Sequence, residues 1–323
     1  MRLISLLRAL GAGLLLAAST LAVAEGTCPP PAPTLDSLKP EQVRADVRDR
    51  GFLWRLTRDG RTSWLYGTVH VSRPDWLLPG PTVQSALSQS AVLALELDPA
   101  DPELARVFAA PGDAARKERV LAGLRPRLAQ LAARECVPPA SIASLQPLLQ
   151  LTMLSLFETR RDGFHPEFAV DVMLWGLAQR QGKNVVALET AASQLAALTP
   201  ASEADERVLV TQGLAEMEGG GERDALLKLL NAWADSDIQA LSTYQDWCQC
   251  TDTPAERRYL ARLNDERNGP MADKLLALHA AGEPFFAAVG ALHMTGPQAL
   301  PTLLRARGFQ VERVPFPSPQ AKP

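Results

Sequence analysis

The chain lacks the motifs that mark several common enzyme classes. It has no Gly-x-Ser-x-Gly elbow, no phosphate-binding loop and no dinucleotide fingerprint, which argues against serine hydrolases, NTPases and Rossmann enzymes. After the N-terminal leader described below, no stretch approaches 18 uncharged apolar residues, so we expect no stable membrane span in the mature protein. Histidine and cysteine are scarce, with four of each, so a cluster of either would be informative.

Positive charge is not in excess either. The 33 Lys and Arg residues stand against 36 Asp and Glu, which gives a net charge of −3 over the 323 residues. A mildly acidic chain without a basic block is a poor candidate for nucleic-acid binding. Hydrophobic residues make up 46%, which is ample for a globular core.

The N-terminus has the pattern of a signal peptide. Arg2 and Arg8 form a positive region, residues 9–18 are apolar, and Ala22-Val23-Ala24 is a small-x-small cleavage site. The apolar run is short for a membrane span, so a cleaved leader over 1–24 is favoured over an uncleaved anchor. We therefore expect export to the periplasm or secretion.

The four cysteines suit an oxidising compartment. Cys28, Cys136, Cys248 and Cys250 allow three disulfide connectivities, and the sequence does not choose among them. A bond between Cys248 and Cys250 would require a sharp backbone turn. A thiolate metal site is the weaker alternative, because the Cys-x-Cys pair has no second pair or nearby histidine.

Strand-like and helix-like segments alternate along the chain. An Asp59-Gly60 turn between apolar runs predicts a hairpin, and a buried strand is predicted over 91–97. The middle is mostly helical apart from a strand over 184–189, and two further strands lie near the C-terminus. The pattern predicts an α/β fold with a mixed central sheet built from both chain ends and a large helical insertion.

The predicted boundaries and helix ends follow from the same pattern. A Pro-rich arm over 25–50 precedes one α/β domain over 51–317, with the insertion at about 103–281 and a tail over 318–323. Within the insertion, Pro270 is typical of a helix N-terminus, so a helix is predicted over 270–281. Another helix is predicted over 297–307.

Two copies of a Gly-x-x-His motif carry the candidate chemistry. Gly67 to His70 and Gly290 to His293 each follow an apolar strand, at the edge of the sheet where α/β proteins bind ligands. Glycine allows a bound group to approach the backbone closely. Glu96 lies near the end of the next strand, and two histidines with one carboxylate are a hydrolytic metal set. The alternative is a purely structural role, in which backbone groups form hydrogen bonds with both histidines and an arginine pairs with Glu96.

These motifs, with Asp265-Glu266-Arg267-Asn268 before the second of them, resemble the TraB/GumN family. That family includes the Tiki-type metalloproteases and is distantly related to erythromycin esterases and haem-binding ChaN-like proteins. The similarity runs from about residue 52 to 314. The absence of a predicted membrane helix departs from the Tiki proteins, so their peptidase activity does not transfer automatically.

The resemblance implies roles for individual residues. His70 and His293 would bind a divalent transition metal (Mn, Co or Zn) and serve catalysis, with Glu96 as a ligand or general base. Arg267, accompanied by Asn268, would stabilise a developing oxyanion. Asp171 and Glu189 fall in matching segments and would serve packing or support the ligands.

We therefore predict an exported, metal-dependent, peptidase-like hydrolase acting on a peptide or small-molecule substrate. One alternative is a non-catalytic protein that binds a peptide or a haem-like ligand. Another is an envelope scaffold with structural histidines. His165 could line the site, although an ordinary loop histidine is the more frequent case. The substrate and the oligomeric state are not indicated by the sequence.

Overall fold

The computed structural model describes residues 28–110 and 112–317. The predicted leader, the first residues of the arm and the predicted tail lie outside them. Among the described helices, none combines the length and the apolar character needed to cross a bilayer. The strands are β1 (Phe52–Arg58), β2 (Arg61–Thr68), β3 (Val92–Leu95), β4 (Asn184–Ala187), β5 (Phe285–Gly290) and β6 (Gln310–Val314).

Helices surround this sheet. They are α1 (Pro40–Val43), α2 (Pro81–Ser88), α3 (Pro102–Phe108), α4 (Ala114–Leu121), α5 (Arg125–Arg134), α6 (Pro139–Ile142), α7 (Pro147–Glu158), α8 (Val170–Arg180), α9 (Ala191–Leu198), α10 (Glu203–Gly219), α11 (Gly221–Ala234), α12 (Ile238–Ser242), α13 (Tyr244–Trp247), α14 (Pro254–Leu263), α15 (Asp265–Ala280) and α16 (Leu300–Ala306).

The sheet is mixed, in the order β4-β3-β5-β2-β1-β6. β1 pairs antiparallel with β2 through the predicted turn at Asp59-Gly60 and also antiparallel with β6. β4, β3, β5 and β2 run parallel to one another. The α/β prediction is confirmed: five of the six strands come from the two chain ends, and β4 is supplied by the middle. Parallel strands end at one edge, so the segments that follow these four strands meet there.

The core has two apolar clusters. The larger one contains the sheet residues, including the fully buried Phe285, Phe286 and Leu65. β3 and β5, each with a parallel strand on both sides, are nearly continuous apolar runs that are buried along almost their whole length, as is typical of strands in a sheet covered on both faces. The smaller cluster lies among helices of the predicted insertion and includes Val120, Leu154 and Leu214.

Two predicted helix starts are wrong. The helix predicted to begin at Pro270 begins at Asp265, and Pro270 lies inside it. Pro270 is the sixth residue of the helix, beyond the first turn where proline is tolerated, so it removes one backbone hydrogen bond of the helix. The earlier start places Arg267 and Asn268 on the helix. The helix predicted over 297–307 is limited to α16, and a short 3₁₀ turn, Ala291–Met294, precedes it.

Disulfides join Cys28 to Cys136 and Cys248 to Cys250. The first ties the arm to the end of α5. The second requires the turn anticipated from the sequence, and the backbone makes it at Gln249, where φ is +56°. The arm is not wholly extended, because a 3₁₀ turn and α1 interrupt it.

Candidate active site

The carboxyl edge of the parallel strands collects the predicted site residues. His70 follows β2, Glu96 follows β3, and His293 lies in the 3₁₀ turn after β5. Since β5 lies between β3 and β2 in the sheet, residues more than 200 positions apart become neighbours. Glu189 follows β4, one strand further along the same edge.

Glu96 is buried, with 8% of its surface exposed. Its Oε1 accepts a hydrogen bond of 2.7 Å from the backbone N–H of Gly290. Its Oε2 accepts from Arg267 Nη2 and from Gln194 Nε2, the latter at 3.1 Å. Burial alone would raise the pKa of Glu96, but the positive charge of Arg267 and the hydrogen bond from the Gly290 N–H hold it well below its usual range. The carboxylate is therefore ionised at physiological pH.

Arg267 joins two buried carboxylates. Its Nε donates to Glu189 Oε1 at 3.0 Å, and its Nη2 donates to both Glu96 and Glu189. Its Nη1 donates to the carbonyl of Leu263 at 3.0 Å. Burial opposes the charge, yet the two carboxylates raise the pKa of Arg267 above its usual value. Glu96 does pair with an arginine, as the structural alternative expects, and that arginine is Arg267, which the resemblance assigns to the site.

Asn268 fixes the ring of His293. The amide donates to the carbonyls of His293 and Gln298, at 3.3 and 2.8 Å. Its Oδ1 therefore faces His293 Nδ1, 2.7 Å away, and accepts the proton of that nitrogen. Burial lowers the pKa of His293 to about 4, so the imidazole is neutral and Nε2 carries the lone pair. Supporting hydrogen bonds of this kind are common behind metal-binding histidines.

His70 is held less tightly. Its side chain is 56% exposed, and Nδ1 lies 3.4 Å from Asp171 Oδ1. Desolvation lowers the pKa of His70, but Asp171 outweighs it and the net result is a pKa of about 9. Asp171 is thus the partner of one motif histidine and Asn268 of the other.

Gly290 lies where the three predicted ligands come together. A Cβ built on it would lie 3.3 Å from Glu96 Oε1, 3.5 Å from His70 Nε2 and 3.6 Å from His293 Cδ2. The missing side chain thus leaves a small space bounded by all three groups. Gly67 has a different role, because a Cβ there would lie 3.2 Å from the Cα of Ala291, so it allows close packing of β2 against the second motif.

The donor set fits a transition metal in kind, with two imidazole nitrogens and one carboxylate oxygen. His293 Nε2 lies 3.8 Å from Glu96 Oε1. Within residues 28–110 and 112–317, however, no group of three or more His, Cys, Asp or Glu side chains has an arrangement that could hold a metal ion. In this arrangement Glu96 accepts hydrogen bonds from N–H donors, and the exposed His70 is the predicted ligand with most freedom to adjust.

A pocket of about 260 Å³ opens beside these groups. Thr68, His70, Gly290 and His293 line its sheet side, and Arg267 contributes from α15. The opposite walls come from helices of the predicted insertion. A substrate held there would contact both motif histidines.

Thr68 carries a buried hydroxyl without a hydrogen-bond partner. We expect Thr68→Val to raise the free energy of unfolding by about 1 kcal/mol, because an unpaired buried hydroxyl is costly. Urea denaturation measures the change. Thr159→Val is the matched control: it removes a buried hydroxyl that donates to Leu156 at 2.7 Å and should lower stability by about 1 kcal/mol. A loss of stability in the Thr68 variant would contradict the prediction.

The sequence did not point to every residue of the site. Gln194 and Thr68 were not predicted, and no motif marks Gln194, which reaches Glu96 only because α9 follows β4. Proximity to His70 is the one signal for Thr68. His165 is buried, packs edge-on against Phe168 and pairs through its backbone with Ser72. It is not among the residues that line the pocket.

A model of the TraB/PrgY/gumN family matches residues 52–313. The chain belongs to the TraB/PrgY/gumN family. The predicted resemblance is thereby confirmed, and the match begins with β1 and ends within β6. Both Gly-x-x-His motifs, Glu96 and Arg267 lie within the matched region.

Two curated relatives are similar over most of their length. The uncharacterized protein YbaP of Shigella flexneri is 28% identical over 278 residues, covering 81% of this chain and 96% of the relative. YbaP of Escherichia coli K12 is 26% identical over 280 residues, covering 78% and 97%. No solved structure matches the chain.

Proposed function

We propose that this family member is an exported, metal-dependent hydrolase that acts on a peptide or another acyl compound. One observation carries the proposal: Glu96 Oε1, His70 Nε2 and the ring of His293 surround a single point beside Gly290, within 3.6 Å. A divalent Mn, Co or Zn ion is the group whose chemistry suits two imidazoles and a carboxylate. The predicted leader supports export.

The residues of the chain have distinct tasks in this proposal. His70, His293 and Glu96 would hold the ion, which when bound polarises a substrate carbonyl and lowers the pKa of water. Asn268 sets the tautomer of His293, which would leave the lone pair of Nε2 available to the ion. Asp171 orients His70. The lowered pKa of Glu96 suits a metal ligand and makes it a weak base, so of the two roles that the resemblance implies the ligand role is the more direct.

Arg267 acts in this scheme as a positioning residue. Its Nε, Nη1 and Nη2 groups all donate to the protein, two of them to carboxylates. It therefore keeps Glu96 ionised and in place. The oxyanion role that the resemblance implies would fall to the second N–H of Nη1, for which the described residues supply no acceptor.

Elemental analysis of protein purified without chelator or affinity nickel tests the proposal. We expect about one metal per chain in the wild type, and its loss from folded His70→Ala and His293→Ala. His279→Gln is the control, because His279 lies against Phe309 and Asp59, away from the site. Wild-type protein that takes up no Mn, Co or Zn on incubation, or both variants retaining it, would contradict the proposal. Turnover of a peptide mixture, read by mass spectrometry, should follow metal content.

A second candidate is a protein that binds a ligand in the same pocket without turnover. The absence of a three-ligand metal cluster among the described residues favours it. This candidate predicts that a peptide or haem raises the melting temperature while no product forms. With haem, histidine ligation should also give a strong visible absorption band.

A further inference from the structure

Aliphatic side chains form the walls of the pocket opposite the histidines. Four helices of the predicted insertion, α7, α9, α11 and α14, each place leucine there. These residues are Leu156, Leu198, Leu226, Leu229, Leu230 and Leu263. The described lining contains no Phe, Tyr or Trp side chain and no carboxylate.

Most of these leucines are only partly buried, although they pack against the main core. Leu156, Leu226 and Leu229 are in this state, and Leu292 joins them from beside His293. Converging apolar surface that the fold leaves partly uncovered is unfavourable in water and is typical of a binding site. The surface faces the pocket and so can be covered by a bound group.

The charges at the pocket exclude a charged occupant of the leucine-lined part. Arg267 is the only arginine or lysine in the lining, and Glu96 and Glu189 already neutralise it. A carboxylate or ammonium placed among the leucines would lose its hydration without gaining a partner. His70 lies at the exposed end and leaves the leucine walls uncharged.

The volume sets the size of the occupant. About 260 Å³ is slightly below the roughly 300–1,000 Å³ of pockets that enclose drug-sized ligands. One short acyl chain or one aliphatic side chain suits such a space better than a large ring system.

We propose that the leucine-lined pocket binds an uncharged aliphatic group of the substrate next to the carbonyl that is attacked. The proposal deepens the proposed function and rests on it, because it assumes that the group bound in this pocket belongs to the substrate of the hydrolase. An acyl chain and a leucine-like side chain share this chemistry, so the experiment includes both.

Calorimetric titration with uncharged probes on chelator-treated protein tests the pocket without metal or turnover. N-acetyl-, N-butanoyl-, N-hexanoyl- and N-octanoyl-glycinamide vary the acyl chain, and N-acetyl-leucinamide supplies the side chain. We expect Kd to fall up to about fourfold per added methylene group until the pocket is full. If a probe with a longer acyl chain binds most tightly, the natural occupant of the pocket is an acyl chain. If N-acetyl-leucinamide binds most tightly, the occupant is an aliphatic side chain. Either result supports the proposal.

Leu229→Asp should abolish the dependence on chain length, because it places a charge in the pocket wall. Val208→Asp is the matched control on α10, since Val208 is 39% exposed and does not line the pocket. Affinity that is independent of chain length and no tighter for N-acetyl-leucinamide than for N-acetyl-glycinamide would overturn the proposal. Because the protein is metal-free, that result is distinct from a failure to bind metal.

Discussion

Arg267→Met should lower the free energy of unfolding by about 3–5 kcal/mol at neutral pH, because it leaves buried carboxylates without their counter-charge. Glu96 and Glu189 are both at most 9% exposed, and both are paired with this guanidinium. Methionine fills similar space but supplies no donor. Urea denaturation followed by circular dichroism measures the loss.

Two further variants separate charge from packing. Arg262→Met removes an arginine that donates only to the carbonyl of Ala196, and it should cost less than about 1 kcal/mol. The triple variant Arg267→Met, Glu96→Gln, Glu189→Gln removes all three charges and should recover most of the lost stability. If Arg267→Met proved as mild as Arg262→Met, the buried ion network would not contribute as the structure indicates.

The difference between wild type and Arg267→Met should depend on pH. The pKa of Glu96 is lowered in the folded protein, so its ionised form stabilises the fold above its unfolded pKa of about 4.3. That contribution is lost as pH falls from there toward the lowered folded pKa. We therefore expect the largest difference above about pH 5 and a progressively smaller one below about pH 4.

Gly290→Ala should weaken metal binding by about 10- to 100-fold, and turnover with it. The methyl group would lie 3.3 Å from Glu96 Oε1 and 3.5 Å from His70 Nε2, within the space that the ion would share. Overpacking of this size costs about 1–3 kcal/mol. Gly290 has φ −50° and ψ 137°, which alanine adopts freely, so folding should persist. Competition with a metallochromic chelator gives the Kd.

Gly219→Ala is the matched control for that substitution. Gly219 is the last residue of α10, and a Cβ there would meet no atom within 4 Å. Alanine should leave metal binding unchanged and stabilise the helix slightly. Wild-type metal affinity in Gly290→Ala would show that the ion, if bound, does not lie between the histidines and Glu96.

The positions of His70, Glu96 and His293 could be predicted because they depend on local signals. An apolar run followed by glycine indicates a strand end, and the ends of parallel strands share one edge of a sheet. The helix carrying Arg267 was misplaced for the opposite reason. Pro270 is a strong local signal for a helix start, yet α15 begins five residues earlier and carries the proline inside it, without one backbone hydrogen bond.

The sequence alone determined the strand ends, the two Gly-x-x-His motifs and the family resemblance that the match over 52–313 bears out. Only the tertiary structure decided which groups meet. Arg267 binds Glu96 from 171 positions away and Glu189 from 78, and four helices bring six leucines to one pocket. Such contacts depend on how each helix rotates and packs on the sheet, and residue patterns fix which face of a helix is apolar but leave its neighbours undetermined.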